Sequence, residues 1–217
     1  MAILTKSKIL NRIQKGDLAF RPELDGFQFR SHAIDLRLGY TFLVPKSWRL
    51  TAKGREALSL DHFDKNRPEY FDVIELEQGQ YFELLSGEHI IVSTLEKIKL
   101  PKNIMAILYP RSSINRKGLS VDLTGIIDSG YEGSLAIPIR NNTAHQVIKL
   151  YPGERFCQIV LEDIEEESPE DTSRYHGKDI IEGVIRSNPT VGNKGEEEIE
   201  LIQKGDIKTL KEKYKVQ

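Results

Sequence analysis

The chain has 217 residues and balances 31 Lys and Arg against 33 Asp and Glu, for a formal net charge of −2. That balance carries no global basic signal for a nucleic acid or an anionic membrane surface. A single cysteine, Cys157, excludes an intrachain disulfide and suits a reducing cytoplasm.

At this length one sizeable domain, or one domain with appendages, can bury a core. The N-terminal run MAILTKSKILNRIQKG is too polar for a signal peptide, and no apolar run is long enough to span a bilayer. A soluble cytoplasmic protein with no membrane or nucleic-acid partner is expected. Residues 5–16 predict a short amphipathic helix, with Ile9, Leu10 and Ile13 on one face, Thr5 or Ser7 as cap and Gly16 as stop. From there the pattern becomes one of short apolar or alternating runs. They lie at 32–44, 70–85, 88–100, 104–109, 133–139, 146–151 and 155–164, punctuated by Gly39, Pro45, Gly79, Gly87 and Pro101. Many short strands at near-regular spacing predict an all-β sandwich or barrel-like fold. The polar stretch 48–69 reads as an insertion loop, and the acidic run EDIEEESPED at 162–171 as a solvated link. Beyond it, Asp206 is a plausible cap for a helix over 206–215. The expected organisation is a β domain over 1–165 with its N-terminal helix, then a link and C-terminal extension over 166–217.

Two blocks carry chemistry. In RSSINR (111–116), Arg111 and Arg116 supply planar donor forks, and Ser112 and Ser113 supply hydroxyls, a set that suits phosphate oxygens. The same letters also suit a solvated turn with capping serines. In TGIIDSGYEG (124–133), Asp128 closes an apolar strand before a Ser-Gly turn. It is either a turn-capping residue or a base that orients water for attack on phosphorus. Tyr131 is either a packed hairpin aromatic or a flat face for a sugar or base.

These blocks, with SHAIDLRLG upstream and LYPGERFCQIVLEDI downstream, resemble the dUTPase / dCTP deaminase superfamily over roughly residues 1–178, and most of all its dCTP deaminase branch. The resemblance implies an all-β distorted jelly roll (a β-clip, dUTPase-like fold), here with a short N-terminal helix and a C-terminal helical tail. It implies a homotrimer with active sites between subunits, a deoxynucleoside triphosphate substrate (dUTP, or dCTP) and Mg²⁺ on its phosphates. By motif position Arg111, Ser112, Ser113 and Arg116 contact phosphates or their network, and Gln158 touches the nucleotide. Tyr175 and Lys178 in RYHGK match nucleotide contacts of the deaminase branch. Asp35 matches an aspartate that either helps order the metal's water shell or serves as an ion-pair partner.

The chain departs from the pattern twice. Deaminases of this superfamily keep a proton-shuttling glutamate five residues past the second glycine of GxxG, and here that position is Pro138, with Asn141 at the motif asparagine. Proline has no proton to exchange. Glu132 and Arg140 lie nearby at the wrong spacing. The Gly- and Arg-containing fifth motif of trimeric dUTPases is not visible either, although SNPTVGNKG (187–195) has glycines and a lysine. The expectation is therefore a diphosphohydrolase that converts dUTP to dUMP and pyrophosphate, with Asp128 orienting the water. Deamination is disfavoured by Pro138. The alternatives are a dCTP deaminase, mono- or bifunctional, with an atypical proton shuttle, and a nucleotide-binding homologue without turnover.

Overall fold

The structure, a computed structural model, describes residues 2–59, 70–122, 125–165, 177, 180–181, 184 and 193–215. The chain opens with β1 (Ala2–Ile3), α1 (Lys6–Lys15) and β2 (Ala19–Arg21). Next come β3 (Ile34–Pro45), β4 (Trp48–Thr51), β5 (Gly54–Ala57), β6 (Phe71–Glu75), β7 (Phe82–Leu84) and β8 (His89–Lys99). β9 (Ile104–Pro110) runs into α2 (Ser112–Asn115), followed by β10 (Leu119–Val121), β11 (Ile126–Ile127), β12 (Glu132–Asn141), β13 (Ile148–Leu150) and β14 (Arg155–Asp163). Two helices, α3 (Asn193–Gln203) and α4 (Ile207–Lys213), end the described chain.

The main sheet runs β10-β12-β8-β3-β14-β9-β11, with β1 on β14, β2 on β8 and β6 on β3. Every pairing among the described residues is antiparallel. β3 explains how this sheet curls on itself. Its first residues, Ile34–Arg37, pair with β14, while Leu38, Phe42 and Leu43 pair with β8 across a register shift between Leu38 and Phe42. Gly39 sits at that transfer point, where a Cβ would lie 2.2 Å from Ser93 Oγ and 2.9 Å from the Thr94 carbonyl, so only a residue without one lets β3 cross so close to β8. The result is a mostly β fold, as the strand pattern implied, and a jelly-roll-like one, as the family resemblance implied.

The alternation seen in the sequence is what fills the core. Leu36, Leu38, Phe42, Ile90, Val92, Ile137, Ile139, Phe156 and Ile159 all point inward and are buried. Each such side chain contributes about 1.5–3 kcal/mol by leaving water. Phe42 stacks on Phe82 at 5.0 Å, which fastens the small β13-β7 sheet to the main one. α1 inserts Ile9 into the core, and Arg12 ties the helix to the β9 approach through Asn103 Oδ1 at 2.6 Å. Gly16 ends the helix in a left-handed conformation, as predicted, whereas Thr5 holds the N-cap position without making a capping bond. Asp206 does cap α4, its side chain accepting from Thr209 N at 3.1 Å.

The expected insertion loop is in part a strand pair. Residues 48–57 are not loop but a hairpin, β4-β5, whose residues are exposed on both faces. Residues 60–69 of the expected insertion lie outside the described residues.

Asn141 is the buried polar tie of the fold. Its Nδ2 donates to the carbonyls of Leu84 (2.9 Å) and Gln146 (2.7 Å), and its Oδ1 accepts from Thr143 N and Oγ1. It therefore joins the end of β12 to β7 and to the approach to β13. Asn141→Ala would remove all four bonds, with Thr143 Oγ1 and the Gln146 carbonyl keeping each other (2.9 Å), and a loss of about 2–4 kcal/mol is expected, since each buried group left unpaired costs about 1–3 kcal/mol. Urea unfolding followed by fluorescence checks this.

Candidate functional site

Arg111 stands where β9 runs out, directly before α2. β14 lies beside that end, with Cys157 opposite Pro110 and Gln158 opposite Tyr109. On its other side β14 places Gln158 opposite Asp35 of β3. Three strands distant in sequence thus bring Arg111, Gln158 and Asp35 to one place. Gln158 is half-buried, and its amide donates to the Pro110 carbonyl at 3.4 Å.

Asp35 is the centre of this place. Its side chain is 1% exposed and its Oδ2 receives three guanidinium groups. Arg30 donates through Nε (3.0 Å) and Nη2 (2.7 Å), Arg111 approaches with Nε at 3.2 Å and Arg155 with Nη1 at 3.3 Å. Behind them Gln28, also buried, donates to the Asp35 carbonyl (3.0 Å) and to Glu96 Oε1 (2.7 Å), while Glu96 Oε2 accepts from Arg37 N (3.0 Å). Burial pushes the Glu96 carboxyl up, against the hydrogen bonds it accepts. The bond to Asp35 raises Arg30. Arg111 is pushed down, first by burial and then by its cationic neighbours, while Asp35 pulls it back up. It stays charged, as guanidinium does throughout proteins.

Three guanidiniums around one carboxylate leave an excess of positive charge at a partly open surface, which Glu154 offsets in part at Arg111. Arg111 is 19% exposed, Arg155 26% and Arg30 45%. Such a fork-lined, half-desolvated surplus is chemically suited to an anion with several oxygens. It is not suited to a cation held by Asp35. All three guanidiniums occupy Oδ2, Oδ1 is buried without a hydrogen-bond partner, and no cluster of His, Cys, Asp or Glu among the described residues could hold a metal. Of the two roles open to Asp35, its surroundings are those of an ion-pair partner.

The remaining predicted residues fall in three groups. Ser112, Ser113 and Arg116 are exposed on and just after α2, with Ser112 Oγ accepting from Arg116 Nη2 at 3.0 Å, and buried Ile114 anchoring the turn. Tyr175 and Lys178 lie outside the described residues. Asp128 and Tyr131 are elsewhere altogether. β11 pairs Ile127 with Ala106, so Asp128 falls level with the beginning of β9, while Arg111 follows its end. The turn they form rests on the β9 approach through Gly130 N to the Pro101 carbonyl and the Tyr131 carbonyl to Leu100 N. At roughly 3.3 Å per residue the two places are about 20 Å apart in one chain. Asp128 is exposed, and its carbonyl accepts from Tyr131 N at 3.2 Å. The Tyr131 ring is buried and its hydroxyl donates to the Ser134 carbonyl (2.8 Å), with burial pushing the phenol up to about 12. Within one chain it therefore packs as a hairpin aromatic.

Pro138 sits in the middle of β12, between β10 and β8. An interior strand tolerates it for a geometric reason. In an antiparallel ladder a residue's N–H and C=O both point to the same neighbour, alternately one side and the other. Asn141 N donates to Glu88 on the β8 side, and Asp122 N donates to the Pro138 carbonyl (2.9 Å) on the β10 side. The missing N–H at 138 thus faces Asp122, where β10 stops, and costs a single ladder bond. Neither residue near 138 takes the absent glutamate's place by spacing. Glu132 lies at the other end of β12 and pairs with Lys99 at 3.2 Å, and Arg140 is exposed one rung away.

Arg30, Arg155 and the Gln28–Glu96 pair were not singled out from the sequence. Arg155 lies inside the very segment that supplies Gln158, three residues ahead of it.

The antiparallel jelly-roll-like sheet, which holds the arginine-ringed aspartate at a three-strand junction, is the fold of the dUTPase / dCTP deaminase superfamily. Comparison with known proteins makes the assignment specific. The family described as dCTP deaminase-like matches residues 3–164, and the chain belongs to it. It is similar to a protein named dCTP deaminase, dUMP-forming, from Methanosphaera stadtmanae, with 32% identity over 207 residues, covering 94% of this chain and 100% of that one. A protein of the same name from Dictyoglomus thermophilum is 33% identical over 175 residues, covering 80% of this chain and 85% of that one. Among solved structures, the 2'-deoxycytidine 5'-triphosphate deaminase of Agrobacterium tumefaciens superposes with a TM-score of 0.55 at 27% identity, over 73% of this chain and 48% of that one. These relatives carry the deaminase name. That overturns the expectation of a dUTPase-type diphosphohydrolase in which Pro138 speaks against deamination.

Proposed function

We propose that this protein is a dCTP deaminase that releases ammonia from the cytosine base and forms dUMP, with the phosphates held at the arginine cluster. The observation that carries this reading is the likeness, over nearly the whole chain, to proteins named dCTP deaminase, dUMP-forming. The surplus of guanidinium charge around Asp35 supports a triphosphate as the anion, with Arg111 offering its free donors, Arg116, Ser112 and Ser113 at the rim and Gln158 beside them. Tyr175 and Lys178 remain proposed nucleotide contacts. Mg²⁺ is proposed to travel on the substrate phosphates, where it would neutralise charge, rather than to be held by Asp35.

Formation of dUMP needs a second step at the phosphates. Asp128, exposed on its turn, is the proposed group that orients water for it. The separation of Asp128 from Arg111 along β9 supports sites shared between copies, and a homotrimer in the cytoplasm is the proposed state.

The test incubates the purified protein with dCTP, and separately with dUTP, in Mg²⁺, and measures ammonia and pyrophosphate independently. Ammonia and pyrophosphate from dCTP are expected. A protein that releases no ammonia from dCTP is not the enzyme proposed.

A further inference from the structure

Deamination at C4 needs a group that takes a proton from the attacking water and returns it to the base, and Pro138 cannot be that group. The sheet offers another. Asp122 lies directly opposite Pro138 across the β10 side of β12, joined to it by the Asp122 N to Pro138 carbonyl bond. Directly opposed residues of an antiparallel pair point to the same face, with their Cα atoms about 5.5 Å apart at such a hydrogen-bonded rung. The Asp122 carboxylate therefore emerges on the face, and beside the position, where a residue-138 carboxylate would emerge. It is exposed, and it is held on that face by Ser120, whose hydroxyl bonds to Asp122 Oδ1. Ser120 is itself opposite Arg140, which faces His89 on β8, so the same face carries one carboxylate, one guanidinium and one imidazole around Pro138. Among these only Asp122 is on the rung of Pro138 itself.

We infer that Asp122 is the proton carrier of the deamination, a carboxylate supplied from the neighbouring strand in place of the one missing at 138. This rests on the deaminase reading above. In the first half of the reaction the water oxygen bonds to C4, one water proton passes to the Asp122 carboxylate, and Asp122 delivers it to N3 as the N3=C4 electron pair moves onto N3. In the second half the C4 hydroxyl gives its proton to Asp122, which passes it to the amino group. The C4–N bond then breaks, ammonia leaves with the bonding pair, and C4=O forms. Water is the sole co-reactant, and Asp122 ends as it began.

The test uses the full chain, dCTP and direct ammonia measurement, with folding checked by thermal melting. Asp122→Asn is expected to lower kcat for ammonia release by about 100-fold or more with KM for dCTP unchanged, the size general acid–base catalysis usually contributes. Ser120→Ala, which frees the carboxylate without removing it, is expected to lower kcat by about 10-fold. Adding Pro138→Glu to Asp122→Asn is expected to recover at least about a tenth of the wild-type rate, a rescue that a merely structural aspartate would not allow. Wild-type ammonia release that persists undiminished in folded Asp122→Asn overturns the inference and leaves the deaminase reading intact. Absence of ammonia from the wild type overturns the deaminase reading itself, and this inference with it.

Discussion

Asp35→Ala is expected to lower the free energy of unfolding by about 3–5 kcal/mol, the cost of breaking a buried ion pair by removing one partner. Three guanidiniums converge on one carboxylate oxygen that is 1% exposed, and they have been drawn there at a desolvation cost only that charge offsets. Arg30 is exposed enough to swing into water when Asp35 is lost. Arg111 is not, because its Nη1 is fixed to the Arg155 carbonyl at 2.6 Å and its burial already pushes it down. Two cations then face each other without an anion between them. Asp35→Asn should cost less, since it keeps the volume and one acceptor, but it still removes the charge. The signature that separates electrostatics from packing is rescue by a polyanion. Pyrophosphate should raise the melting temperature of Asp35→Ala more than that of the wild type, because the variant has more unbalanced positive charge to satisfy. Chemical denaturation with and without pyrophosphate gives both numbers.

Within the arginine cluster, Arg111→Ala carries the largest expected effect on catalysis, a fall in kcat/KM for dCTP of about 10²–10³, in the range found when one preorganised donor is removed. Arg111 alone among the cluster is both braced from behind, by Asp35 and the Arg155 carbonyl, and placed at the start of the α2 segment that carries the serines. Bracing matters because a guanidinium fixed before the ligand arrives loses less entropy on binding it. Arg111→Lys should recover only part of the loss. The ammonium keeps the charge but cannot donate to Asp35 and face a phosphate in one plane. Steady-state kinetics on the three proteins, with stability measured alongside, distinguishes a binding defect from unfolding. Asp35 remains ion-paired to Arg30 and Arg155 in the variant, so the fold should survive.

Much of the fold was legible because burial and alternation coincide. The strands β8, β12 and β14 bury every second residue for much of their length, and that period is visible in the letters, while β3 is buried on both faces and reads as an apolar run. The β4-β5 hairpin was not, because both its faces are exposed and no period of burial shaped its sequence. α3 was missed for a related reason, its apolar content being interrupted by Gly195 and three consecutive glutamates. At the site, Arg111 and Gln158 could be placed by motif. Arg155 could not, since what makes it a functional candidate is the pairing of β3 with β14, across some 120 positions of chain, and Arg30, only five residues from Asp35, lies in a segment with no motif to mark it. Asp122 is the sharpest case. The proline at 138 was conspicuous in the sequence, yet nothing local says which residue stands across the rung from it.

β9 can also be regarded as a ruler. Seven residues of strand hold the arginine cluster at one end and the Asp128 turn at the other. No bending of a single chain brings those ends together without tearing the central pairings with β14. For a site drawing on both ends, the working unit is therefore an assembly rather than a molecule. Under the shared-site proposal, output would rise more steeply than chain number when copies are scarce, so the supply of this protein would act as a threshold on activity rather than a dial.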